Sequence, residues 1–391
     1  MKTGKTLVIT GAYEVDIKEY PVPEAADDGM VIQVEAALIC GSDGHFIKVN
    51  PESPFCDGHE FAGRIVSIGK NANRFIHCYG GDLKLGDRIA VYPHITCGKC
   101  PSCMSHGSGV CGVCDDDFIY GGPSPHQNNP DVPNTNPELY PHFKGGFGEY
   151  VYIYPETFVW KIPDDMPSEI AALMDPVAVA MRAIEMAMTE SGTLQEGITT
   201  KTHALVIGAG PIGIIASMIL RHMGVEQLPI TDMIESKLEK AKELAQVDVA
   251  INLSGMSEQE CIKAVIEATD GGADVVLQCA NHWSATIQGL QMVKKLGTYI
   301  EVGLPMSMLN THEVTVCLPK LLFESNARIC GLIANTPSTF DSAFRLLKKY
   351  KEIPFEKLIT HRFDQLEDYL DTIKKMPEEG YLKAAYIPII H

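Results

Sequence analysis

The sequence predicts a two-part α/β protein, in which a mainly antiparallel β domain opens and closes the chain around a doubly wound parallel sheet. Three observations predict it. A chain of 391 residues exceeds what one hydrophobic core usually serves, so two domains are expected. Its first part carries short Val/Ile-rich alternating runs, whereas after Asp175 strand patterns alternate with helical ones. From about Asn335 onward too little chain remains for a core of its own, so that segment is expected to return to the first domain. The expected boundaries are 1–176, 177–333 and 334–391.

Within the first part, Val31 to Ala37 and Gly63 to Ile68 alternate as small antiparallel strands do, punctuated by Gly, Pro and Asp, which suggests a partly open barrel. Residues 115 to 146 break that rhythm. Pro123, Pro125, Asn128, Asn129, Pro130, Pro133, Asn134, Asn136 and Pro137 crowd a stretch without apolar periodicity, and long loops of this kind are often functional. In the second part, strands are expected at Ala204 to Ile207, Ile230 to Asp232, Val249 to Asn252, Val275 to Cys279, Tyr299 to Val302 and Ile329 to Ile333. Helical patterns fall between them, including Ile212 to Met223, Ser236 to Ala245 and Glu258 to Ala268. Six strands in two βαβαβ halves make the doubly wound, dinucleotide-binding (Rossmann) architecture.

Composition excludes several classes. Thirty-two basic against fifty acidic residues leave a net charge of -18, which repels the phosphate backbone that dominates nucleic-acid affinity. No apolar run approaches the length that spans a bilayer, and the start of the chain lacks the apolar core of a secretion signal. A soluble cytoplasmic protein without nucleic-acid or membrane partners is expected. Twelve cysteines suit a disulfide framework only in a small secreted chain; here four lie within fifteen residues, which points to metal.

Gly208, Gly210 and Gly213 form G-x-G-x-x-G between an apolar strand pattern and a helical one. The first glycine makes the tight turn, the second admits a pyrophosphate to the backbone, and the third lets strand and helix pack closely. Pro211 and Ile212 begin the helix, where a proline's missing N–H costs little. Such a motif alone also describes any tight strand-to-helix turn. Asp232, about twenty residues on at the end of the next strand, adds a carboxylate for the adenosine ribose hydroxyls and would repel a 2'-phosphate, favouring NAD over NADP. Pro229 should delay that strand until Ile230, since proline lacks a ladder donor.

Cys97, Cys100, Cys103 and Cys111 stand as C-x2-C-x2-C-x7-C in a lobe of about residues 94–114. Four thiolates so spaced can close around a tetrahedral structural zinc, with Cys114 an alternative fourth sulfur. An iron–sulfur cluster would use the same thiolates, but nothing else suggests electron transfer. A second set is scattered: Cys40, then His59 followed by Glu60, then Asp175 together supply a thiolate, an imidazole and a carboxylate, which would leave zinc an open position for substrate. Taken singly, each is as well explained as an ordinary core or surface residue.

The stretches C-G-S-D-x-H (Cys40 to His45), G-H-E-x-x-G-x-I-V (Gly58 to Val66), G-D-R (Gly86 to Arg88), the four-cysteine lobe, G-G-F-G-E-Y (Gly145 to Tyr150) and G-A-G-P-I-G (Gly208 to Gly213) resemble, in order, the signatures of the zinc-dependent medium-chain dehydrogenase/reductase family. The resemblance covers almost the whole chain and is nearest to threonine- and polyol-type members. It implies a GroES-like first domain, two zinc ions per chain, NAD, and a homodimer or homotetramer. By this resemblance Cys40 and His59 ligate the catalytic zinc with Asp175 as third ligand and Glu60 as its competitor, while Asp43 orients His59. Ser42 and His45 would pass the substrate proton outward. Lys237 would sit beside Asp232 on the adenosine ribose, Val302, Gly303 and Leu304 would meet the nicotinamide, and Lys383 would reach the cofactor phosphates. The Pro/Asn-rich segment between Cys114 and Gly145 and a shorter insertion around His77 to Lys84 depart from common members, and could reshape the substrate cleft or build a subunit contact.

The expected chemistry is oxidation of a secondary alcohol, polyol or amino alcohol. Zinc can lower the pKa of a bound water by about eight units, roughly 11 kcal/mol, and an alcohol should respond similarly. Two other readings compete. A metal-free NAD(P)H enone or quinone reductase on the same fold would need neither Cys40 nor His59, and a non-catalytic zinc- and nucleotide-binding protein would show no alcohol-dependent reduction of the cofactor.

Overall fold

The alternating run Met30–Leu38 forms the strand around which the first part is built, buried along its length except at Gln33 and Glu35. The computed structural model describes residues 2–110, 112–123, 130, 132–188, 198–303, 317, 319–333 and 335–389. It divides into two units, Met1–Asp175 with Ala334–His391, and Pro176–Ile333.

In the first unit, Met30–Leu38 pairs antiparallel with Glu60–Ile68 along one edge and shares the other between Tyr150–Ile153 and Lys383–Tyr386. The sheet continues from Glu60–Ile68 through Arg88–Val91 and Phe158–Lys161 to His77–Tyr79, eight strands in all with Ile359–Phe363 at the far edge. A three-stranded sheet places Thr3–Gly11 between Glu14–Pro21 and Phe55–Cys56. Leu7, Ile32, Val34, Phe61, Phe147 and Tyr369 belong to one buried cluster, so the returning segment contributes to the core begun by the first residues. Register decides what meets at the sheet's end: Leu38 faces Glu60 on one side and Ala385 on the other. Cys40, Glu60 and Lys383 thereby converge there.

Arg88 fixes a further approach to that end. Its guanidinium donates to Glu35 at 2.9 Å, to the Met166 carbonyl at 2.7 Å and to Ser168 Oγ at 2.7 Å. These bonds tie the strand to the helix Ser168–Ala172, directly before the helix Met174–Met188 that carries Asp175. The Pro/Asn-rich segment has little regular structure among its described residues. Phe118–Ile119 pairs with His94–Ile95, Glu138 accepts from Lys18 and Tyr20, and the ring of His142 stacks on Tyr20 at 4.3 Å.

The second unit is a six-stranded parallel sheet in the order Val249–Asn252, Pro229–Asp232, Ala204–Ile207, Ala273–Gln278, Val293–Glu301, Arg328–Gly331. That is the doubly wound order, with its crossover after the first strand in the chain. The central strand Ala204–Ile207 is buried at every residue, as expected of a parallel strand covered on both faces. The second strand begins at Pro229 rather than at Ile230. Proline is tolerated there because it is the strand's first residue and ladder pairing with Ala204–Ile207 starts only at Ile230. Among the described residues no helix is long and apolar enough to cross a membrane.

Candidate metal centres and cofactor loop

His59 follows Gly58, whose φ is +96°, and Glu60 begins the strand Glu60–Ile68. A Cβ at Gly58 would lie 2.7 Å from the backbone nitrogen of Phe147, so only glycine lets the G-G-F-G segment pass this close. Cys40 follows the strand Met30–Leu38. One ligand atom from each of Cys40, His59 and Glu60 lies within 4.8 Å of the others. Asp43 braces the set from the short helix Asp43–Phe46: its Oδ2 accepts the Cys40 N–H at 2.8 Å, and its Oδ1 lies 3.4 Å from His59 Nδ1.

The carboxylate in the set is thus Glu60, the competitor, and not Asp175, the choice made from the resemblance. Asp175 is half-buried and interacts electrostatically with His59 and Glu60, but it does not join the ligand-distance group. The charges show what the centre lacks. Burial, with help from Glu60, pushes the Cys40 thiol up to about 12, and burial pushes the Asp175 carboxyl up to about 6. Burial also opposes charge on His59, yet Asp43, Asp175, Glu60 and Asp57 outweigh it and raise its pKa. A soft thiolate, an imidazole and a buried carboxylate gathered at ligand distance fit zinc.

Lys383, expected at the cofactor phosphates, is 3% exposed, and its Nζ donates to both carboxylate oxygens of Glu60, at 2.6 and 2.5 Å, and to the Ile39 carbonyl at 3.1 Å. The register beside Leu38 brings it there, and a buried carboxylate needs such a counter-charge. Ser42 and His45 occupy the turn after Cys40. The Ser42 hydroxyl bonds the Cys40 thiol, and burial first, then Lys48, lowers the His45 pKa.

The lobe gathers the thiols of Cys97, Cys100, Cys103 and Cys114 within 4.8 Å of one another, with Sγ of Cys114 and Cys97 3.5 Å apart. Sulfurs at about 2.3 Å from a tetrahedral zinc would stand about 3.8 Å apart, so the set fits the ion. Cys114, the alternative on spacing, supplies the fourth sulfur here; Cys111 lies outside the described residues. A cavity of about 590 Å3 adjoins the lobe, lined by His94, Thr96, Tyr154, Glu156 and Phe158 together with Val132 of the Pro/Asn-rich segment. His94 Nδ1 stands 3.0 Å from Asp117, and neither residue had been singled out from the sequence.

In the second unit, Gly208 adopts φ +96°, and a Cβ on Gly213 would lie 1.8 Å from the Gly208 carbonyl oxygen. Gly210 caps the helix Pro211–His222, and nothing lies within 4 Å of where its Cβ would be, so the backbone is open to a ligand. Ile212 is the helix's second residue. Asp232 accepts from the N–H of Ala209 at 2.7 Å and of Ile234 at 2.9 Å, so it braces the glycine turn. Lys237 lies half-buried in the helix Glu235–Ala245. The N–H groups of Val302 and Gly303 both donate to the Gln278 carbonyl, while Leu304 lies outside the described residues.

Comparison with known proteins agrees with both units. Residues 26–164 match the model of the alcohol dehydrogenase GroES-like domain, and residues 211–349 match that of the zinc-binding dehydrogenases. The chain belongs to the zinc-type, medium-chain alcohol dehydrogenase family. It is 31% identical to a sorbitol dehydrogenase of Bacillus subtilis over 85% of this chain and 83% of that one. An L-threonine 3-dehydrogenase of the same organism is 28% identical over 99% and 100% of the two chains. The solved structure of an alcohol dehydrogenase from Thermotoga maritima shares the fold, with TM-score 0.83, 24% identity and full coverage of both chains.

Proposed function

We propose that this chain is a zinc-dependent, NAD-linked dehydrogenase of a secondary alcohol, polyol or amino alcohol. The observation that carries the reading is the thiol of half-buried Cys40 with the buried imidazole and carboxylate of His59 and Glu60 at ligand distance, in a chain that also builds a glycine turn braced by Asp232. Zinc would supply Lewis acidity toward the alcohol oxygen, and the nicotinamide dinucleotide would supply the two-electron acceptor. Cys40, His59 and Glu60 would hold the ion, with Asp175 beside them, while Cys97, Cys100, Cys103 and Cys114 would hold a second, structural one. Asp43 keeps His59 in the orientation that binding needs. Ser42 Oγ would take the alcohol proton and His45 would pass it on; burial keeps His45 from holding the proton permanently. Gly210 and the first turn of Pro211–His222 would receive the pyrophosphate, and Asp232 the ribose hydroxyls.

A metal-free enone reductase would have no use for the thiol and imidazole of Cys40 and His59 held at ligand distance. The test is zinc content together with an NAD reduction screen over polyols, amino alcohols and short secondary alcohols. Two zinc per chain, NAD reduction by one of these classes, and its loss in Cys40→Ala are expected. No zinc and no alcohol-dependent reduction would overturn the reading.

A further inference from the structure

Beside His59 the first unit buries more polar chemistry than holding one imidazole requires. Asp43, Asp57 and Tyr369 are fully buried, and Tyr381 is 3% exposed. Asp57 stands two residues before His59, and its Oδ2 accepts the hydroxyl proton of Tyr369, which arrives from the returning segment 312 positions later. Asp57 and Asp43 lie within electrostatic reach of each other and of His59, and Tyr381 within reach of Asp43, Glu60 and Cys40. Four enclosed atoms here have no hydrogen-bond partner: Asp43 Oδ1, Asp57 Oδ1, His59 Nδ1 and the Tyr381 hydroxyl. Unpaired buried polar atoms are costly, and native proteins rarely keep several in one place without a use for them.

Asp43 alone accounts for one carboxylate facing the imidazole. Asp57 adds a second negative charge to the same enclosure, where little water screens it. Asp43 Oδ1, 3.4 Å from His59 Nδ1, favours the proton on that nitrogen, and a second carboxylate within electrostatic reach adds to the field that raises the basicity of the other nitrogen and strengthens it as a metal ligand. The Tyr369 hydroxyl holds the Asp57 carboxylate in one orientation. The Tyr381 hydroxyl offers a donor on the side of Asp43 and Glu60.

We propose that Asp57, held by Tyr369 and closed in by Tyr381, is a positioning residue that with Asp43 sets the orientation and donor strength of His59 as a metal ligand. The inference rests on the reading of Cys40, His59 and Glu60 as a zinc site. Its test uses the full-length zinc-loaded protein and the variants Asp57→Asn, Tyr369→Phe and Tyr381→Phe, each nearly isosteric. Zinc is withdrawn by a competing chelator and counted per chain, and the ligand-field absorption of the cobalt-substituted protein is recorded.

Asp57→Asn should weaken retention of one zinc by about 10- to 100-fold and shift the cobalt band, while the four-cysteine zinc stays bound. Tyr369→Phe and Tyr381→Phe should move both readouts the same way by less. A merely structural role would lower thermal stability without shifting the cobalt band. If Asp57→Asn does not fold, Tyr369→Phe, which removes one oxygen, decides the matter. Two zincs in the wild type with unchanged retention and cobalt spectra in the variants would overturn this inference alone. A wild-type chain holding a single zinc that Cys40→Ala does not disturb would overturn the zinc-site reading and this inference with it.

Discussion

The ammonium of Lys383 grips both carboxylate oxygens of Glu60, 323 positions away, inside a wall that leaves each residue almost fully buried. Removing one partner of such a pair strands the other charge, at a cost of about 3–5 kcal/mol. Lys383→Met should therefore lower stability to urea by that order, and the double variant Lys383→Met/Glu60→Gln should recover part of the loss. NADH affinity, followed by its fluorescence, should barely change in Lys383→Met. A large loss of cofactor affinity with intact stability would return Lys383 to the cofactor phosphates.

The lobe offers five thiols for four places. Cys114→Ser should release one zinc per chain, since its sulfur stands with those of Cys97, Cys100 and Cys103. Cys111→Ser should retain both ions by elemental analysis. The reverse pattern would give the fourth place to Cys111.

Asp232 is held by two backbone N–H groups at the glycine turn. In Asp232→Ser the carboxylate that would repel a 2'-phosphate is gone, so the ratio of kcat/KM with NADP to that with NAD should rise about tenfold, equivalent to roughly 1.4 kcal/mol. An unchanged ratio would remove Asp232 from cofactor selection.

Gly213 tolerates no side chain, because a Cβ there would overlap the Gly208 carbonyl. Gly213→Ala should abolish NADH binding measured by fluorescence titration while both zinc ions remain. Loss of metal together with cofactor binding would show that the defect is global unfolding.

Lys144 supplies a pH signature. Burial lowers its pKa to about 8, and its Nζ donates to the Asn136 carbonyl at 2.6 Å. In the unfolded chain a lysine keeps its proton to about pH 10.4, so between about pH 8 and 10.4 the unfolded state binds more protons and stability rises with pH. Below pH 8 the full cost of the buried charge is present. Relative to Lys144→Met, the wild type should gain about 2 kcal/mol between pH 7 and pH 9.5 in urea denaturation. A constant difference across that range would contradict the shift.

Legibility in the sequence followed distance along the chain. The glycine turn and Asp232 could be read because strand, turn and helix are consecutive, so spacing alone implies their geometry. The cysteine lobe was readable for the same reason, down to a choice between Cys111 and Cys114 that spacing does not make. The bond of Lys383 to Glu60 could not be read, because it is fixed by the pairing of Leu38 with Ala385, a register that no local pattern encodes. Asp57, Tyr369 and Tyr381 carried no signal at all: an acid and two phenols far apart in sequence look like surface residues until the fold encloses them. Asp175 and Glu60 illustrate a third case, in which residue chemistry qualified both and only the arrangement of the chain ends around Leu38 distinguished them.

The return of the last segment to the first sheet also orders events during synthesis. Cys40, His59 and Glu60 leave the ribosome more than three hundred residues before the strand Lys383–Tyr386. Until then the nascent first domain lacks the strand that pairs with Met30–Leu38 and the ammonium that neutralises Glu60. A chain cut short before Leu382 would carry every candidate metal donor and still lack the counter-charge of Glu60, so emergence of this late strand is itself the step that licenses a finished metal centre.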